Sequence, residues 1–317
     1  MTALEPFDVV YTWVDDQFPG YRELLARYQV TTHDRNPNRT RDNLDLLKYS
    51  LRSLVRFAPW VKRVFLVTTR PQVPTWLNPA TPGLRVVHHD AFMDAAMLPT
   101  FNSFAIVSCL RDLPGLSQRF LYIEDDMLFG RTVTPADFAE PDGRIRVFER
   151  LGRTRAPADR DSGTLSPWNT GLALANHLLD QAFGATVRHT VNHVPLLIDR
   201  DIWAEMVGRW PEVFAATRMS RFRAKGNIPP EYFYPHYLLH TGQGRRVPLI
   251  ETYRDTAYHG LENVLPWAWT GLNMIRLLRP KTIALNDNFG DFPNPRVVAM
   301  TRRFLNAAYP IKSPYEF

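Results

Sequence analysis

Three consecutive acids follow an apolar segment near the middle of the chain. In the sequence FLYIEDDMLFG, residues 120–130, Glu124, Asp125 and Asp126 come directly after four apolar residues that predict a buried strand. Carboxylates at such a strand end are costly to bury without a positive partner. Mg²⁺ and Mn²⁺ prefer oxygen ligands and commonly join carboxylates to nucleotide phosphates. The segment therefore predicts a metal site, with an acidic turn after a core strand as the alternative.

A histidine and two arginines in the second half could complete a phosphate-transfer site. His193, in the sequence NHVP, is a candidate general base or phosphate contact, with a structural histidine as the alternative. Arg221 and Arg223, in SRFRAK, could clamp a diphosphate or could lie in an ordinary solvated basic loop.

Several other chemistries lack their sequence motifs. The chain contains no GxxxxGK[ST] loop, no GxGxxG after its first predicted strand, no GxSxG elbow and no cysteine-histidine metal set. A P-loop nucleotidase and a dinucleotide oxidoreductase are therefore disfavoured. What remains is a metal-dependent transfer that uses carboxylates, arginine and histidine.

The elements predicted around these residues form an α/β sheet. Strands are predicted at residues 7–14, 61–68, 84–88 and 120–123, and helices at residues 21–28, 42–57 and 100–113. Strands separated by helices favour a mostly parallel sheet, whose ligands gather beyond the carboxyl ends of the strands. We therefore expect Glu124, Asp125 and Asp126 to share that edge with the residues that follow the other strands. The helix predicted to begin near Asn102 would offer free backbone N–H groups to an anion.

The remaining sequence predicts three parts of one catalytic domain. Residues 1–138 carry the α/β pattern, and residues 31–41 within them predict a polar loop. Residues 139–167 are rich in Asp, Arg, Gly and Pro and predict a mobile loop or a linker. Residues 168–317 predict a mainly helical portion, closed by a strand at residues 282–285 and a helix at residues 295–308.

The composition limits the partners and the location. With 317 residues, 45% of them hydrophobic, the chain can bury a large core. A formal net charge of +6 fits an acidic ligand, but no basic run predicts nucleic-acid binding. Because Cys109 is the single cysteine and no signal peptide or membrane helix is predicted, the interpretation is a cytoplasmic protein. Residues 264–278, rich in Trp and Leu, predict either a core helix or a peripheral contact with the inner face of a membrane.

Four sequence blocks resemble the conserved blocks of the Stealth family of sugar-phosphate transferases. Four stretches of this chain resemble the family's first two conserved blocks. They are DVVYTWVD (residues 8–15), RDNLDLLKYSLRSLVRFAPWVKRVFLVT (41–68), LPTFNS (98–103) and FLYIEDDMLFG. The family's third block is matched by HVPLLIDR (193–200) together with SRFRAKGNIPPEYFYPHY (220–237). Its fourth block is matched by ALNDNFGD (284–291). The family includes bacterial capsular polysaccharide phosphotransferases and the catalytic subunit of the lysosomal-enzyme N-acetylglucosamine-1-phosphotransferase.

The resemblance implies a glycosyltransferase-A-like fold and a specific reaction. A hexose-1-phosphate, such as N-acetylglucosamine-1-phosphate, would move from a UDP-sugar to a hydroxyl of a glycan acceptor in exopolysaccharide or capsular polysaccharide synthesis. The product would be a phosphodiester, UMP would leave, and Mg²⁺ or Mn²⁺ would be the cofactor. Residues 1–138 would bind the nucleotide sugar and residues 168–317 the acceptor. Two other classes stay open: a conventional glycosyltransferase that releases UDP, and a non-catalytic sugar-nucleotide or glycan-binding protein.

The resemblance also implies roles for individual residues. The metal ligands would be Asp125 and Asp126, with Glu124 as a third ligand or a support. The catalytic residues would be His193, Arg223 and Asp8. His193 would act as a base toward the acceptor hydroxyl or as a hydrogen-bond donor to the phosphoryl group, and Arg223 would stabilise charge. Asp8 would contact the nucleotide or act on the acceptor proton. The donor-binding residues would be Arg41, Asp42, Asn43, Asn102, Asn286 and Asp287. In-line displacement would then put the base and the metal on opposite sides of the transferred group.

Overall fold

The computed structural model describes residues 6–30 and 40–317, so most of the predicted loop at residues 31–41 lies outside the described residues. The strands in the described part are β1 (Asp8–Thr12), β2 (Val64–Thr68), β3 (Leu84–His88), β4 (Arg119–Glu124), β5 (Met127–Phe129), β6 (Ile145–Val147), β7 (Glu149–Arg153), β8 (His189–Val191), β9 (Leu196–Asp199), β10 (Gly244–Arg246), β11 (Thr256–Leu261) and β12 (Thr282–Asp287). The helices there are α1 (Tyr21–Tyr28), α2 (Leu46–Phe57), α3 (Ser103–Cys109), α4 (Pro167–Phe183), α5 (Arg200–Arg209), α6 (Pro211–Met219), α7 (Pro230–His240), α8 (Leu249–Asp255), α9 (Leu265–Leu278) and α10 (Pro295–Ala308).

A five-stranded sheet in the order β3-β2-β1-β4-β9 forms the centre of the fold. β1 pairs in parallel with β2 and β4, β2 pairs in parallel with β3, and β9 runs antiparallel to β4. The apolar sequences VFLVT of β2 and FLYI of β4 are buried, as is typical of parallel strands covered on both faces. The predicted α/β class with a mostly parallel central sheet is confirmed, and the carboxyl ends of β1 to β4 meet at one edge.

A second sheet begins where β4 ends. After a two-residue turn made of Asp125 and Asp126, β5 pairs antiparallel with β12, which pairs in parallel with β11. α2 supports this junction, because Ser53 Oγ accepts a hydrogen bond from the Phe129 N–H at 2.9 Å and the Ser50 hydroxyl donates to the Met127 carbonyl. The two acids therefore lie where the chain passes from one sheet to the next.

The segment at residues 139–167 differs from its prediction as a mobile loop or linker. It contains β6, which pairs in parallel with β10, and β7, which pairs antiparallel with β8. These strands are short, and ERLGR in β7 lacks the β-branched and aromatic residues that mark strands in a sequence. Their partners lie far along the chain, so tertiary pairing rather than local preference determines them.

The C-terminal portion is mainly helical, as predicted, but it also contributes strands. It supplies β9 to the central sheet and β11 and β12 to the second sheet. The aromatic run at residues 232–237 forms part of α7, whose residues 230 and 232–238 are all buried, as expected for a helix that is apolar on every face. Within the described residues, no helix combines the length and the apolar character needed to cross a membrane.

Candidate active site

A cavity of about 680 Å³ opens at the carboxyl edge of the central sheet. Its lining includes Thr12 at the end of β1, Glu124 at the end of β4 and Glu231 on α7, together with His193 and Arg223 from two loops. This volume lies within the range of about 300–1,000 Å³ that is typical of small-molecule sites. The cavity therefore lies at the edge where the sequence predicted ligand binding.

The antiparallel edge strand carries His193 to the acids of β4. Leu196 in β9 pairs with Tyr122, so the residues before Leu196 pass the carboxyl end of β4. His193 Nε2 lies 3.0 Å from Asp126 Oδ1, and His193 Nδ1 lies 3.9 Å from Glu124 Oε1. One ligand atom from each of Glu124, Asp126 and His193 lies within 4.8 Å of the other two. Two carboxylates and an imidazole at this spacing are a suitable donor set for a divalent cation.

The electrostatics of these residues also favour a cation. Burial raises the pKa of Glu124 above its ordinary value, and burial together with the neighbouring Asp126 raises that of Asp125 further. Burial by itself would lower the pKa of His193, but the carboxylates of Asp126 and Glu124 raise it to about 10. Carboxylates that stabilise a positive charge on His193 would stabilise a divalent cation in the same way, so the residues present fit a divalent metal.

The close group differs in one member from the predicted three acids. Asp125 lines the cavity, but the group of ligand atoms within 4.8 Å joins Glu124 and Asp126 to His193 instead. Asp125 and Asp126 form the turn between β4 and β5, so adjacent acids point in different directions. The sequence of three acids does not indicate this turn. The structure thus brings the predicted catalytic histidine into the predicted metal set.

Arg223 reaches the cavity from the loop before α7. Its Nε donates to Ser103 Oγ at 3.0 Å, its Nη2 donates to the same hydroxyl, and its guanidinium lies 4.4 Å from the centroid of the Phe104 ring. Its charge lowers the pKa of Glu124, against the larger effect of burial. Arg221, predicted as a second clamp, instead donates to a backbone carbonyl at 2.8 Å and is not among the lining residues. The structure therefore gathers Arg223, but not Arg221, with the acids.

Arg41 and Asp42, two predicted donor contacts, line the same cavity. The guanidinium of Arg41 is held by both carboxylate oxygens of Asp16 at 3.0 Å. Asp42 accepts a hydrogen bond from Trp13 Nε1 at 3.2 Å, and burial raises the pKa of Asp42 to about 6. Arg41 and Asp42 are therefore oriented by Asp16 and Trp13, which follow β1. All four residues are far in sequence from the acidic turn.

Asn286 and Asp287 end β12 and also line the cavity. Asn286 Nδ2 lies 3.4 Å from Asp126 Oδ2, toward which it donates. Asp287 accepts from Asn43 Nδ2 at 2.7 Å, and burial raises the pKa of Asp287. Asn43 is not among the lining residues, so it supports Asp287 rather than facing a ligand.

Asp8 requires a correction, because the structure places it at the opposite edge of the sheet. Asp8 begins β1, whereas Thr12, at the other end, pairs with Glu124. Four residues of strand separate the two levels by about 13 Å. Asp8 is fully buried and accepts hydrogen bonds from Arg63 Nε at 2.9 Å and from the N–H and hydroxyl of Ser117 at 2.8 and 2.7 Å. These bonds join the start of β1 to Arg63 and to Ser117, and Asp8 is not among the residues that line the cavity.

Asn102 also has a structural role in place of the predicted donor contact. Its side chain caps α3 by accepting from the Phe104 N–H at 3.1 Å. Its Nδ2 lies 3.3 Å from the Thr217 carbonyl and 3.0 Å from both the Ser220 carbonyl and Asn227 Oδ1. It is fully buried and joins α3 to the loop that carries Arg223.

Glu231, which was not predicted from the sequence, lines the cavity from the first turn of α7. Burial and the charge of Glu124 raise the pKa of Glu231 to about 7, although Arg223 and His193 lower it. Its sequence context, PPEYFYP, offered one signal, because a single acid stands between a proline-rich helix start and an aromatic run.

Two conserved regions of a known family match this chain. The family region described as Stealth protein CR2, conserved region 2, matches residues 39–147, and the region described as Stealth protein CR3, conserved region 3, matches residues 192–240. The chain carries two conserved regions of the Stealth family. The acids of β4 lie in the first of these Stealth regions, and His193, Arg223 and Glu231 lie in the second.

Curated relatives of this chain are similar over nearly its whole length. An exopolysaccharide phosphotransferase of Streptomyces coelicolor is 38% identical over 320 residues, which cover 98% of this chain and 52% of the relative. The exopolysaccharide phosphotransferase CpsY of Mycobacterium tuberculosis is 33% identical over 325 residues, which cover 98% of this chain and 58% of the relative. The chain thus spans little more than half the length of these relatives.

Two of the solved structures that are distantly similar to this chain are glycosyltransferases. A crystal structure of the galactosyltransferase LgtC in complex with donor and acceptor sugar analogs has a TM-score of 0.43 and 12% identity, covering 96% of each chain. Mouse xyloside xylosyltransferase 1 in its apo form has a TM-score of 0.42 and 11% identity, covering 89% of this chain and 98% of the mouse chain.

Proposed function

We propose that this chain transfers a hexose-1-phosphate from a UDP-sugar to a hydroxyl of a glycan acceptor, forming a phosphodiester and releasing UMP. The observation that carries the proposal is the grouping of Glu124, Asp126 and His193 within 4.8 Å at a cavity that Arg223 also lines. The relatives named exopolysaccharide phosphotransferases support the same reaction class. N-acetylglucosamine-1-phosphate is one candidate for the transferred group.

Glu124, Asp126 and His193 would hold the divalent metal in this proposal. Carboxylates suit both Mg²⁺ and Mn²⁺, whereas the imidazole of His193 shifts the preference toward Mn²⁺. A bound divalent cation would supply charge neutralisation for the diphosphate and its leaving group. Asn286 would keep the Asp126 carboxylate oriented through its 3.4 Å contact.

His193 is better suited to hold a metal or an anionic phosphoryl group than to act as the base. Its Nε2 faces both carboxylate oxygens of Asp126, at 3.0 and 3.2 Å, and its pKa is raised to about 10. A protonated imidazole has no free lone pair at neutral pH, and a metal-bound nitrogen has none either. The proposal therefore drops the base role that the resemblance implied and keeps His193 as a ligand of the metal.

Arg223 and Arg41 would bind the phosphates of the donor. Phosphoryl transfer depends mainly on positioning and on stabilising charge that spreads over the phosphoryl oxygens. The guanidinium of Arg223 is fixed by the Ser103 hydroxyl and by the Phe104 ring, so it loses little freedom when it binds an anion. Arg41 is fixed in the same way by Asp16.

The test is product analysis with a panel of UDP-sugars, Mg²⁺ or Mn²⁺ and glycan acceptors. Mass spectrometry of the acceptor should show an added hexose plus phosphate, and UMP should accumulate in equal amount. A gain of hexose alone with release of UDP would establish a conventional glycosyltransferase instead. Binding of UDP-sugar without any turnover across the acceptor panel would establish a non-catalytic binding protein.

The proposal includes a cytoplasmic location at the inner face of a membrane, where α9 would make a peripheral contact. α9 buries Ala268, Leu272 and Ile275 but exposes apolar side chains that a core helix would bury. Trp269 is 60% exposed and Leu277 is 76% exposed. Exposed tryptophan and leucine near the arginines that end α9 are typical of a helix that lies on a lipid surface.

A further inference from the structure

Glu231 is a cavity-lining carboxyl group that the proposed mechanism has not used. It is the second residue of α7, and its side chain lines the cavity together with His193 and Arg223. The Oε2 atom is buried and has no hydrogen-bond partner among the described residues. A buried carboxylate oxygen without a partner is costly, so its retention beside a ligand cavity indicates a ligand group that would satisfy it.

Other cavity acids have partners or belong to the acidic turn. Asp42 accepts from Trp13 Nε1 and from a backbone N–H, and Asp287 accepts from Asn43 and from another backbone N–H. Glu124 and Asp126 face His193 in the proposed metal group. Asp125 lies between these two acids, in the turn after β4. Glu231 lies on a different element, so it is a carboxyl group that can act apart from the metal.

We infer that Glu231 binds the attacking hydroxyl of the glycan acceptor and takes its proton during phosphoryl transfer. This inference rests on the proposed function. As the acceptor oxygen forms its bond to phosphorus, the O–H electron pair stays on that oxygen and the proton moves to the carboxylate of Glu231. The bond from phosphorus to the UMP oxygen breaks, and UMP leaves with that electron pair. The proton on Glu231 is then released to water.

The charges that face Glu231 come from three surrounding segments. Glu124 and Tyr122 face it from β4, His193 from the loop between β8 and β9, and Arg223 from the loop before α7. Burial and Glu124 favour the neutral carboxyl, whereas the two cationic side chains favour the carboxylate. This balance allows Glu231 to exchange a proton near neutral pH, and the inference predicts that the rate falls as the pH drops below about 7.

The test compares Glu231→Gln with wild type by UMP release over the pH range 5 to 9. Glutamine keeps the shape of the side chain and its place in α7, but it cannot take the proton. We expect kcat to fall by about 100-fold, with the KM for the UDP-sugar changed by less than about threefold and the acidic limb of the pH profile abolished. Glu231→Asp, which withdraws the carboxylate by about one C–C bond, should retain that limb at a lower rate.

Glu212→Gln is the matched control, because Glu212 is an exposed acid in the first turn of α6 and does not line the cavity. It should behave like wild type, and thermal melting should show that all variants are folded. A Glu231→Gln enzyme with an unchanged rate and pH profile, or with a raised KM and an unchanged kcat, would overturn the inference alone. Release of UDP by the wild type would overturn the proposed function and the inference together.

Discussion

Replacing Asp8 with Asn should make the protein easier to unfold while leaving the chemistry of the cavity intact. Asp8 is the fully buried acceptor of an Arg63 ion pair, with Nη2 to Oδ2 at 2.6 Å, and of two hydrogen bonds from Ser117. Asparagine has nearly the same volume, but its neutral amide replaces a carboxylate oxygen with an N–H donor. That donor would face donors of Arg63 or Ser117, so the substitution removes bonds and adds repulsion.

The magnitude follows from the burial of the pair. Breaking a buried ion pair by removing one partner costs about 3–5 kcal/mol, chiefly because the remaining charge is left uncompensated. The Arg63 side chain is 24% exposed and can turn toward water, so the lower end of that range applies. We expect the free energy of unfolding to fall by about 3 kcal/mol at pH 7.

The effect should depend on pH in one direction. Burial would raise the pKa of Asp8, but the hydrogen bonds from Arg63 and Ser117 outweigh it and hold the pKa below its ordinary value. A carboxyl group with a lowered folded-state pKa stabilises the fold above its unfolded-state pKa of about 3.9 and loses that contribution as the pH falls through the folded-state value. The difference between wild type and Asp8→Asn should therefore be full at pH 7 and shrink below about pH 4.

Urea unfolding at several pH values measures the difference in the free energy of unfolding between wild type and Asp8→Asn. Titration of the folded protein with Mn²⁺ measures the affinity of the candidate metal site. Asp126→Asn, in the turn after β4, is the matched comparison: it should weaken Mn²⁺ binding by at least about tenfold. Asp8→Asn should lower the stability and leave Mn²⁺ binding unchanged. Unchanged stability together with lost turnover in Asp8→Asn would refute the structural role and restore the catalytic one.

Three further predictions concern the cavity and the surface. Because the pKa of His193 is raised to about 10, metal binding should release its proton, and the proton release seen by calorimetry in different buffers should disappear in His193→Gln. Arg223→Lys keeps the charge but loses the fork that grips the Ser103 hydroxyl, and should lower kcat by about 100-fold, whereas Arg221→Lys should have little effect. Trp269→Ser should reduce flotation with anionic vesicles, and equal flotation would contradict membrane contact through α9.

The acidic turn was predictable because its signal is local. An apolar run that ends in Glu124-Asp125-Asp126 indicates a buried strand and a group of acids within a single stretch of sequence. The sequence did not predict which of these acids lie close together. Their arrangement depends on the path of the chain, which leaves one sheet at Asp125 and enters another at β5. The parallel sheet was predictable from its alternation with helices, whereas β7 and β10 form through pairings with distant strands and have little signal of their own.

Asp8 and Glu124 show why acids near strands are ambiguous in a sequence. Each adjoins apolar strand residues. Asp8 belongs to β1 and Glu124 to β4, which pair in parallel. One stands at the amino end and the other at the carboxyl end of its strand, and only the carboxyl ends of such a sheet surround the ligand cavity. The position of an acid within its strand was therefore a better guide to its role than its residue type, and applying that rule to Asp8 would have predicted its structural role.

His193 and Glu231 reach the cavity through long-range packing, which no local sequence pattern reveals. The antiparallel pairing of β9 with β4 brings His193 to the acids, and the packing of α7 brings Glu231 to the same cavity. The two groups then differ in their surroundings: His193 faces the carboxylates of the metal group, whereas Glu231 lines the cavity and its Oε2 has no hydrogen-bond partner among the described residues. Opposite environments of this kind are what separate a metal-binding role from a proton-accepting role. If both assignments hold, exchanging the two functions by mutation should fail, because the fold rather than the residue type creates the difference.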